Sequence, residues 1–429
     1  MMIDVSFRVL LTWPPAIPTY FNAGHRLPLW EVSAYIQKHI GSAEVDVVDL
    51  GLLDRTWKEA ADILLRNYHL ICILNEFENI EGLKRFVEYA RAISPDSKLL
   101  TFGRVSGVIP RYFTNYSVDA IVHSGDFEVG VLTYCEMLLG KRSVEKCDGL
   151  LVHVKGEWLE TKAGHFLDAE NWEFPKVQKL PLESYARLSA RPENRFSALP
   201  GQTELTIGVS RGCPVGCNFC LIPMYQGLHE RRRSPISIVE YLQNAKESVH
   251  FDYVSMFSPT FTLDRKWTKE FCESMEGLSI KWKCCTTVQH LDRELVLIMG
   301  RSKCIRISVG IETLEIQAQK TLPRIKQTEY SRLSSLAKWC SEADIELNCF
   351  VMVGMPGQTI EGLKSTFETI KALGAQARPT AYTAFGELKE TVSESELLRA
   401  YTRQLLCIVP GENAESVRQL NRAKFLADC

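Results

Sequence analysis

The sequence predicts an α/β protein: a doubly wound parallel sheet, then a linker, then a partial barrel of six βα units. Three observations carry this. Short apolar runs alternate with amphipathic stretches through residues 1–140, the alternation lapses over 141–200, and it resumes from 204 with six strand-like runs in about 190 residues. Strand–helix alternation with short, continuously apolar strands is the pattern of parallel sheets covered on both faces. The expected organisation is therefore sheet domain 1–140, linker 141–200, barrel 201–390 and a short C-terminal helical segment 391–429.

Taken in order, FRVLLTW reads as a strand, LPLWEVSAYIQKHI as an amphipathic helix and AEVDVVDLG as a strand. TWKEAADILLRNY is helical, HLICILNEF a strand, IEGLKRFVEYARAI helical, SKLLTFG and VDAIVHSG strands, and FEVGVLTYCEMLLG a helix. Pro14 and Pro15 follow the first strand where a dinucleotide fold would place its Gly-rich turn, so that fingerprint is absent. LLVHVKGEWLETKAG reads as a hairpin, and the Pro/Ser/Arg-rich stretch after it as linker. The barrel strands are LTIGVS, YVSMFSPTF, IKWKCCTT, CIRISVGIE, ELNCFVMVGMPG and QARPTAYTAF, with helical stretches between them.

A formal net charge of -2 and a pI of 6.5 give no field that would recruit nucleic acid or an anionic membrane. The basic run Arg231, Arg232, Arg233 reads as a solvated helix start. The N-terminus lacks a basic segment before its apolar run and reads as a first strand, not a signal peptide. No apolar stretch approaches the length of a membrane span. Most of the fourteen cysteines, Cys72, Cys135 and Cys349 among them, sit in apolar segments as buried free thiols, which fits a reducing cytoplasm.

Three cysteines depart from that pattern. SRGCPVGCNFCLIP packs Cys213, Cys217 and Cys220 into eight positions after the first barrel strand. A structural zinc site wants four N/S ligands, commonly as two spaced pairs, and the adjacent Cys284 and Cys285 supply no second pair. A 4Fe–4S cluster takes one ligand at each iron, so three thiolates leave one iron free to bind something else.

This CxxxCxxC, with Phe219 before its last cysteine, resembles the signature of the radical S-adenosylmethionine (SAM) superfamily. The resemblance implies a 4Fe–4S cluster on Cys213, Cys217 and Cys220, with SAM on the open iron. Other segments resemble family features in the same order. VSMFSPTF nominates Phe257, Ser258, Pro259 and Phe261 near the SAM amino group, and Phe219 joins them. RISVGIET nominates Ser308, Gly310 and Glu312 near the carboxylate and ribose, and FVMVGMPGQT nominates Met352, Val353 and Gly354 beside the adenine. One departure stands out: many relatives carry an Arg and an Asp where this chain has Thr287 and Gln289, beside His290.

The N-terminal half resembles the domain that precedes the barrel in cobalamin-binding radical SAM enzymes, through LPLWEVSAYI and HSGDFEVGVLTYCEML. That implies a Rossmann-like cobalamin domain before a TIM-type partial barrel. Its strand-end loops nominate Pro14, Asn75, Glu76, Gly103, Arg104, Val105, Ser124, Gly125 and Glu128 as cobalamin contacts. The D-x-H-x-x-G element is missing, so no imidazole from that motif is expected on cobalt; His123 is the one imidazole near the strand ends. The function implied is C-methylation of a small-molecule substrate using a 4Fe–4S cluster, SAM and methylcobalamin. The alternative is a non-methylating oxidative cyclisation or rearrangement. The resemblance also implies a monomer served by an external electron donor of flavodoxin or ferredoxin type. The residues themselves name no catalytic side chain.

Overall fold

A computed structural model of the chain describes residues 6–15, 22–52, 55–191 and 198–399. It contains two sheets. The first runs β2-β1-β3-β4-β5-β6-β7, built from β1 (Phe7–Trp13), β2 (Ala43–Asp49), β3 (Leu70–Asn75), β4 (Lys98–Gly103), β5 (Ala120–Val122), β6 (Leu150–Val154) and β7 (Glu157–Glu160). The first five pair in parallel, and all six residues of β3 are buried, as expected of a strand covered on both faces. Helices α1 (Leu27–His39), α2 (Trp57–Leu64), α3 (Ile80–Ile93) and α4 (Phe127–Leu138) are the ones the periodicity predicts. Thr56 fixes the start of α2 by accepting from the Glu59 amide at 3.0 Å.

The predicted boundary at 140 falls short. The hairpin read as the start of the linker is β6–β7, which adds antiparallel strands to the edge of the sheet and carries it to Glu160. A hairpin and a sheet edge share one local pattern, so only the pairing of β6 with β5 tells them apart. Among the described residues, the remainder of the linker is short turns and α5 (Leu182–Ser189).

The second sheet runs β15-β14-β13-β12-β11-β8, parallel throughout. Its strands are β8 (Glu204–Gly208), β11 (Tyr253–Phe257), β12 (Trp282–Thr286), β13 (Cys304–Glu312), β14 (Glu346–Val353) and β15 (Gln376–Ala381), the six runs the sequence predicts. Between β8 and β11 lie a two-stranded ribbon, β9 (Ser210–Arg211) with β10 (Arg231–Arg232), and the short helix α6 (Ile222–Tyr225). Strand order follows chain order, and β8 does not pair with β15 among the described residues, so the barrel is open. No helix among those residues is long and apolar enough to cross a membrane. The helical segment predicted over 391–429 lies outside the described residues from 400 onward.

The two halves share packing. Leu221, Tyr225 and Phe385, all C-terminal to the linker, belong to the core built on the first sheet. Phe385 lies 4.9 Å from Phe77, and Tyr225 stacks on Phe127 at 5.9 Å with the rings 3° from parallel.

Candidate active site

Parallel sheets bind ligands beyond the carboxyl ends of their strands. Here the carboxyl ends of both sheets face one cavity. The first sheet contributes Glu76 after β3, Arg104 after β4, and Gly125 to Glu128 after β5, with His25 from the turn before α1 and Glu31 from α1 itself. The second contributes Gly208 and Phe257 from the ends of β8 and β11, Ser210 and Arg211 from β9, and Tyr225 and Gln226 from the end of α6.

Arg211 ties the two faces together. Its guanidinium donates to Glu31 at 3.0 Å and to Glu128 at 2.6 Å and 3.1 Å, and lies 3.4 Å from Asp126. Three buried carboxylates around one cation cannot all ionise at ordinary cost. Burial pushes Glu31 up to about 7, reinforced by Glu128 and Asp126 against the pull of Arg211. Deeper under the first sheet, Arg104 pairs with Glu76 and with Glu78 at 3.0 Å, and His25 Nδ1 lies 2.9 Å from Glu78. Although burial works against it, His25 and Arg104 hold Glu78 well below the usual carboxylate range.

The basic run is not solvated. Arg231 and Arg233 are 9% and 4% exposed. Arg231 donates to Asp126 at 2.6 Å and to the Leu167 carbonyl at 2.7 Å, while Arg233 donates to the carbonyls of Gly208, Trp172 and Glu173, each at 3.0 Å. Trp172 lies among the cations of Arg211, Arg231 and Arg233, at 4.5, 5.4 and 5.5 Å from its ring. The partners lie 25 to 105 residues away in sequence, so a local reading of three arginines could not foresee them.

The cysteine loop leaves β9 through Gly212, whose φ of +84° and approach to the His229 carbonyl admit only glycine: a methyl there would lie 2.1 Å from that oxygen. Cys213 donates its amide to the Gly227 carbonyl at 3.1 Å and Cys220 its amide to Cys217 at 3.0 Å, which fixes the loop as a tight turn. Cys213 and Cys217 are buried and Cys220 partly so. Burial pushes the Cys217 thiol up to about 12, with the Lys326 ammonium pulling the other way and the Cys220 and Cys213 thiols adding to the rise. Among the described residues no three His, Cys, Asp or Glu side chains converge as ligands of a single ion do. A cuboidal cluster asks for neighbouring thiols that each reach a different iron, and this donor set suits it.

Lys326, missed at the sequence level, lies beside these thiols and donates to Glu312 at 3.1 Å. Glu312 ends β13 with φ at +63°, at a shift in register against β14. A methyl on Gly310 would lie 2.4 Å from Glu312 Oε1 and 2.6 Å from Lys326 Nζ, so a side chain there would push the ends of this ion pair aside. Ser308 accepts from Asn348 at 3.2 Å, and Ser258 shares a 2.6 Å hydrogen bond with Ser210. Phe219 lies 6.4 Å from Tyr382. Met352 and Gly354 are pinned by Gln358, which donates to the Met352 carbonyl at 2.9 Å and accepts the Gly354 amide at 2.8 Å; Val353 accepts the Tyr382 amide at 2.9 Å. Thr287, at one position of the absent Arg/Asp pair, is buried, and Gln289 donates to the Gln327 carbonyl at 2.8 Å.

The strand-end residues of the first sheet divide. Glu76, Arg104, Gly125 and Glu128 line the cavity. Asn75 does not: it is fully buried, donating to Thr101 at 2.9 Å and Ser106 at 3.0 Å and accepting the Ser106 amide at 2.9 Å. Gly103 (φ +147°) is required by its own sheet, because a methyl there would lie 1.9 Å from the Asn75 carbonyl oxygen. Val105 is core, and Pro14 is buried. Ser124 accepts the Gly164 amide at 2.9 Å, and His123 hangs from the hairpin through its amide and the Gly149 carbonyl at 2.8 Å.

Residues 207–370 match the radical SAM superfamily, which uses a 4Fe–4S cluster and SAM. Over 371 residues the chain is 22% identical to cytidylyl-2-hydroxyethylphosphonate methyltransferase from Streptomyces wedmorensis, a match covering 77% of this chain and 65% of that protein. The chain thus spans a little under two thirds of that relative's length. In structure it resembles the radical SAM methyltransferase TsrM from Kitasatospora setae, solved with cobalamin and a 4Fe–4S cluster bound (TM-score 0.71, 15% identity, 89% of this chain and 74% of that one). It also resembles OxsB, a cobalamin-dependent SAM radical enzyme solved with aqua-cobalamin (TM-score 0.67, 16% identity, 96% of this chain and 56% of that one). Residues 207–370 are therefore a radical SAM domain, and the chain as a whole has a two-sheet fold shared with TsrM and OxsB.

Proposed function

We propose that this protein is a cobalamin-dependent radical SAM methyltransferase acting on a small-molecule substrate. The observation that carries the reading is the meeting of the two sheets: their carboxyl ends face one cavity, and the cysteine loop leaves β9 at its edge. Cys213, Cys217 and Cys220 hold the cluster and leave one iron to SAM. Glu312 and Lys326 orient SAM beside the cluster, with Ser308 and Gly310 on the same strand, Phe257, Ser258 and Pro259 on the next face, and Met352, Val353 and Gly354 at the adenine. Glu76, Arg104, Gly125 and Glu128 hold cobalamin at the first sheet's edge.

When bound, the cluster and SAM supply a radical able to remove hydrogen from carbon, and cobalamin supplies the methyl group. The chain's own contribution is positional. The Arg211 network fixes the two sheet ends relative to each other, the Arg104 network holds the strand-end loops of the first sheet, and Tyr225, Phe127 and Phe257 keep water from the space between. The small-molecule class is supported by the tryptophan substrate of TsrM and the nucleotide-linked phosphonate named for the Streptomyces relative.

Anaerobic purification with cobalamin supplied tests this. The protein should hold about four irons and one corrin per chain, and should cleave SAM on reduction. Absence of corrin at saturating cobalamin would remove the methyl-transfer reading, and absence of iron would remove the radical one.

A further inference from the structure

We infer that Cys285 is a hydrogen-atom donor inside the barrel, the group that ends SAM cleavage when no substrate is bound. The inference rests on the reading above, in which SAM is a consumed co-substrate lying against Ser308, Gly310 and Glu312.

The inside of this barrel is not a packed core. Leu205, Val254, Cys284, Ile307 and Leu347 belong to the apolar core on the outer, helix-covered face of the sheet. Side chains alternate along a strand, so Thr206, Ser255, Cys285, Ser308 and Asn348 face inward. Bulky branched residues fill the interior of a closed barrel; here small or polar ones stand in their place, with Cys285, Ser308 and Asn348 at one level across β12, β13 and β14. Below them the amino end is closed by ion pairs and a phenol. Lys283 Nζ lies 2.5 Å from Glu204, Tyr253 donates to Glu204 at 2.6 Å, and Arg306 pairs with Glu346 at 2.9 Å. The space above this floor opens only towards the carboxyl ends, where the cysteine loop lies.

Cys285 is the one exposed cysteine among the described residues, although its neighbours Cys284 and Thr286 are buried and protein surrounds it. The space it meets is therefore the inside of the barrel. Ser308, its register partner on β13, is in hydrogen-bond contact with the thiol. Two residues along the same face, Thr287 is 3% exposed, and its hydroxyl has no hydrogen-bond partner in the protein. A buried polar group left unsatisfied beside an open space points to a ligand there. The surrounding protein desolvates the Cys285 thiol and pushes it up, so the sulfur keeps its hydrogen at neutral pH.

A thiol S–H bond is weaker than the C–H bond of a primary carbon, so a carbon radical formed over Cys285 takes its hydrogen. One electron breaks the S–C5′ bond of SAM into methionine and a 5′-deoxyadenosyl radical. Cys285 gives that radical its hydrogen atom, which leaves 5′-deoxyadenosine and a thiyl radical. A second electron from the same reductant and a proton from water restore the thiol. A substrate seated in the barrel covers Cys285 and gives up its own hydrogen instead.

The test uses the full chain with its cluster loaded, and its first arm needs no turnover. Methyl methanethiosulfonate, a small neutral thiol reagent, should modify Cys285 and spare Cys284, and SAM should slow that modification, both read by peptide mass spectrometry. An unmodified Cys285, or a rate that SAM leaves unchanged, overturns the proposal. In the second arm SAM is cleaved in deuterium oxide with dithionite as reductant, without substrate or added thiol. The 5′-deoxyadenosine from the wild type should carry deuterium at its 5′ carbon, since a thiol exchanges its hydrogen with solvent. Cys285→Ala and Cys285→Ser should lose that deuterium at wild-type iron content, and Cys284→Ala should keep it. Deuterium-free product from the wild type overturns the proposal, as does deuterium that survives both Cys285 variants. A cluster-loaded wild type that forms no 5′-deoxyadenosine would instead sink the SAM reading, and the hydrogen-donor proposal with it.

Discussion

Lys326 Nζ lies 3.1 Å from Glu312 Oε1, and the two side chains are 13% and 5% exposed. They bind the turn after β13 to the strand that ends beneath the cysteines. Removing the cation strands a buried carboxylate, which is worse than never having had the pair. Lys326→Met should therefore cost about 3 kcal/mol in urea unfolding, with Lys326→Arg recovering most of it. A loss below about 1 kcal/mol, the worth of a surface pair, would mean that Glu312 finds another partner.

The triple change Cys213→Ala, Cys217→Ala, Cys220→Ala should abolish bound iron and sulfide and the visible absorbance of the cluster, whereas Cys284→Ser with Cys285→Ser should leave all three intact. Gly212→Ala should reduce iron content without touching a thiol, because its methyl meets the His229 carbonyl and must displace Cys213. Iron retained in the triple variant would place the ligands elsewhere.

Glu31 sets a pH dependence. Its folded-state pKa of about 7 lies above the ordinary 4.5, so the folded chain holds a proton there that the unfolded chain has lost. That contribution is fully present below the unfolded value and disappears as pH rises through about 7. The thermal midpoint of the cofactor-free protein should fall between pH 5 and pH 8 by more in the wild type than in Glu31→Gln. Parallel curves for the two proteins would show that Glu31 is ionised throughout.

Trp172 is 4% exposed and lies among three guanidinium groups. Trp172→Ala should destabilise the fold by about 3–4 kcal/mol, and Trp172→Phe by less. The diagnostic measurement is amide exchange: protection should be lost at both Asp126 and Gly208, on opposite sides of the cavity. Loss confined to one side would mean that the ring serves one domain only.

The strands of both sheets were legible because parallel strands are short, continuously apolar and separated by helices whose period differs from theirs. The cysteine loop was legible because its three thiols are neighbours in sequence. What escaped depends on distance along the chain. Arg211 and Glu31 are 180 residues apart and carry no sign of each other. Asn75 looked like a ligand because it ends a strand, yet its amide is consumed by Thr101 and Ser106 on the adjoining strand and loop. Gly103 looked like space for a cofactor and is instead space for the Asn75 backbone. Lys326 sits in a turn with no signature of its own.

The shared core has a consequence for inheritance. Leu221, Tyr225 and Phe385 complete the first sheet's interior, while Trp172, from the segment before the barrel, answers the barrel's own arginines. Neither half carries a finished surface at the seam. Exchanging either module alone for that of a relative should uncover apolar side chains and unanswered arginines at the seam, whereas exchanging the two together should not.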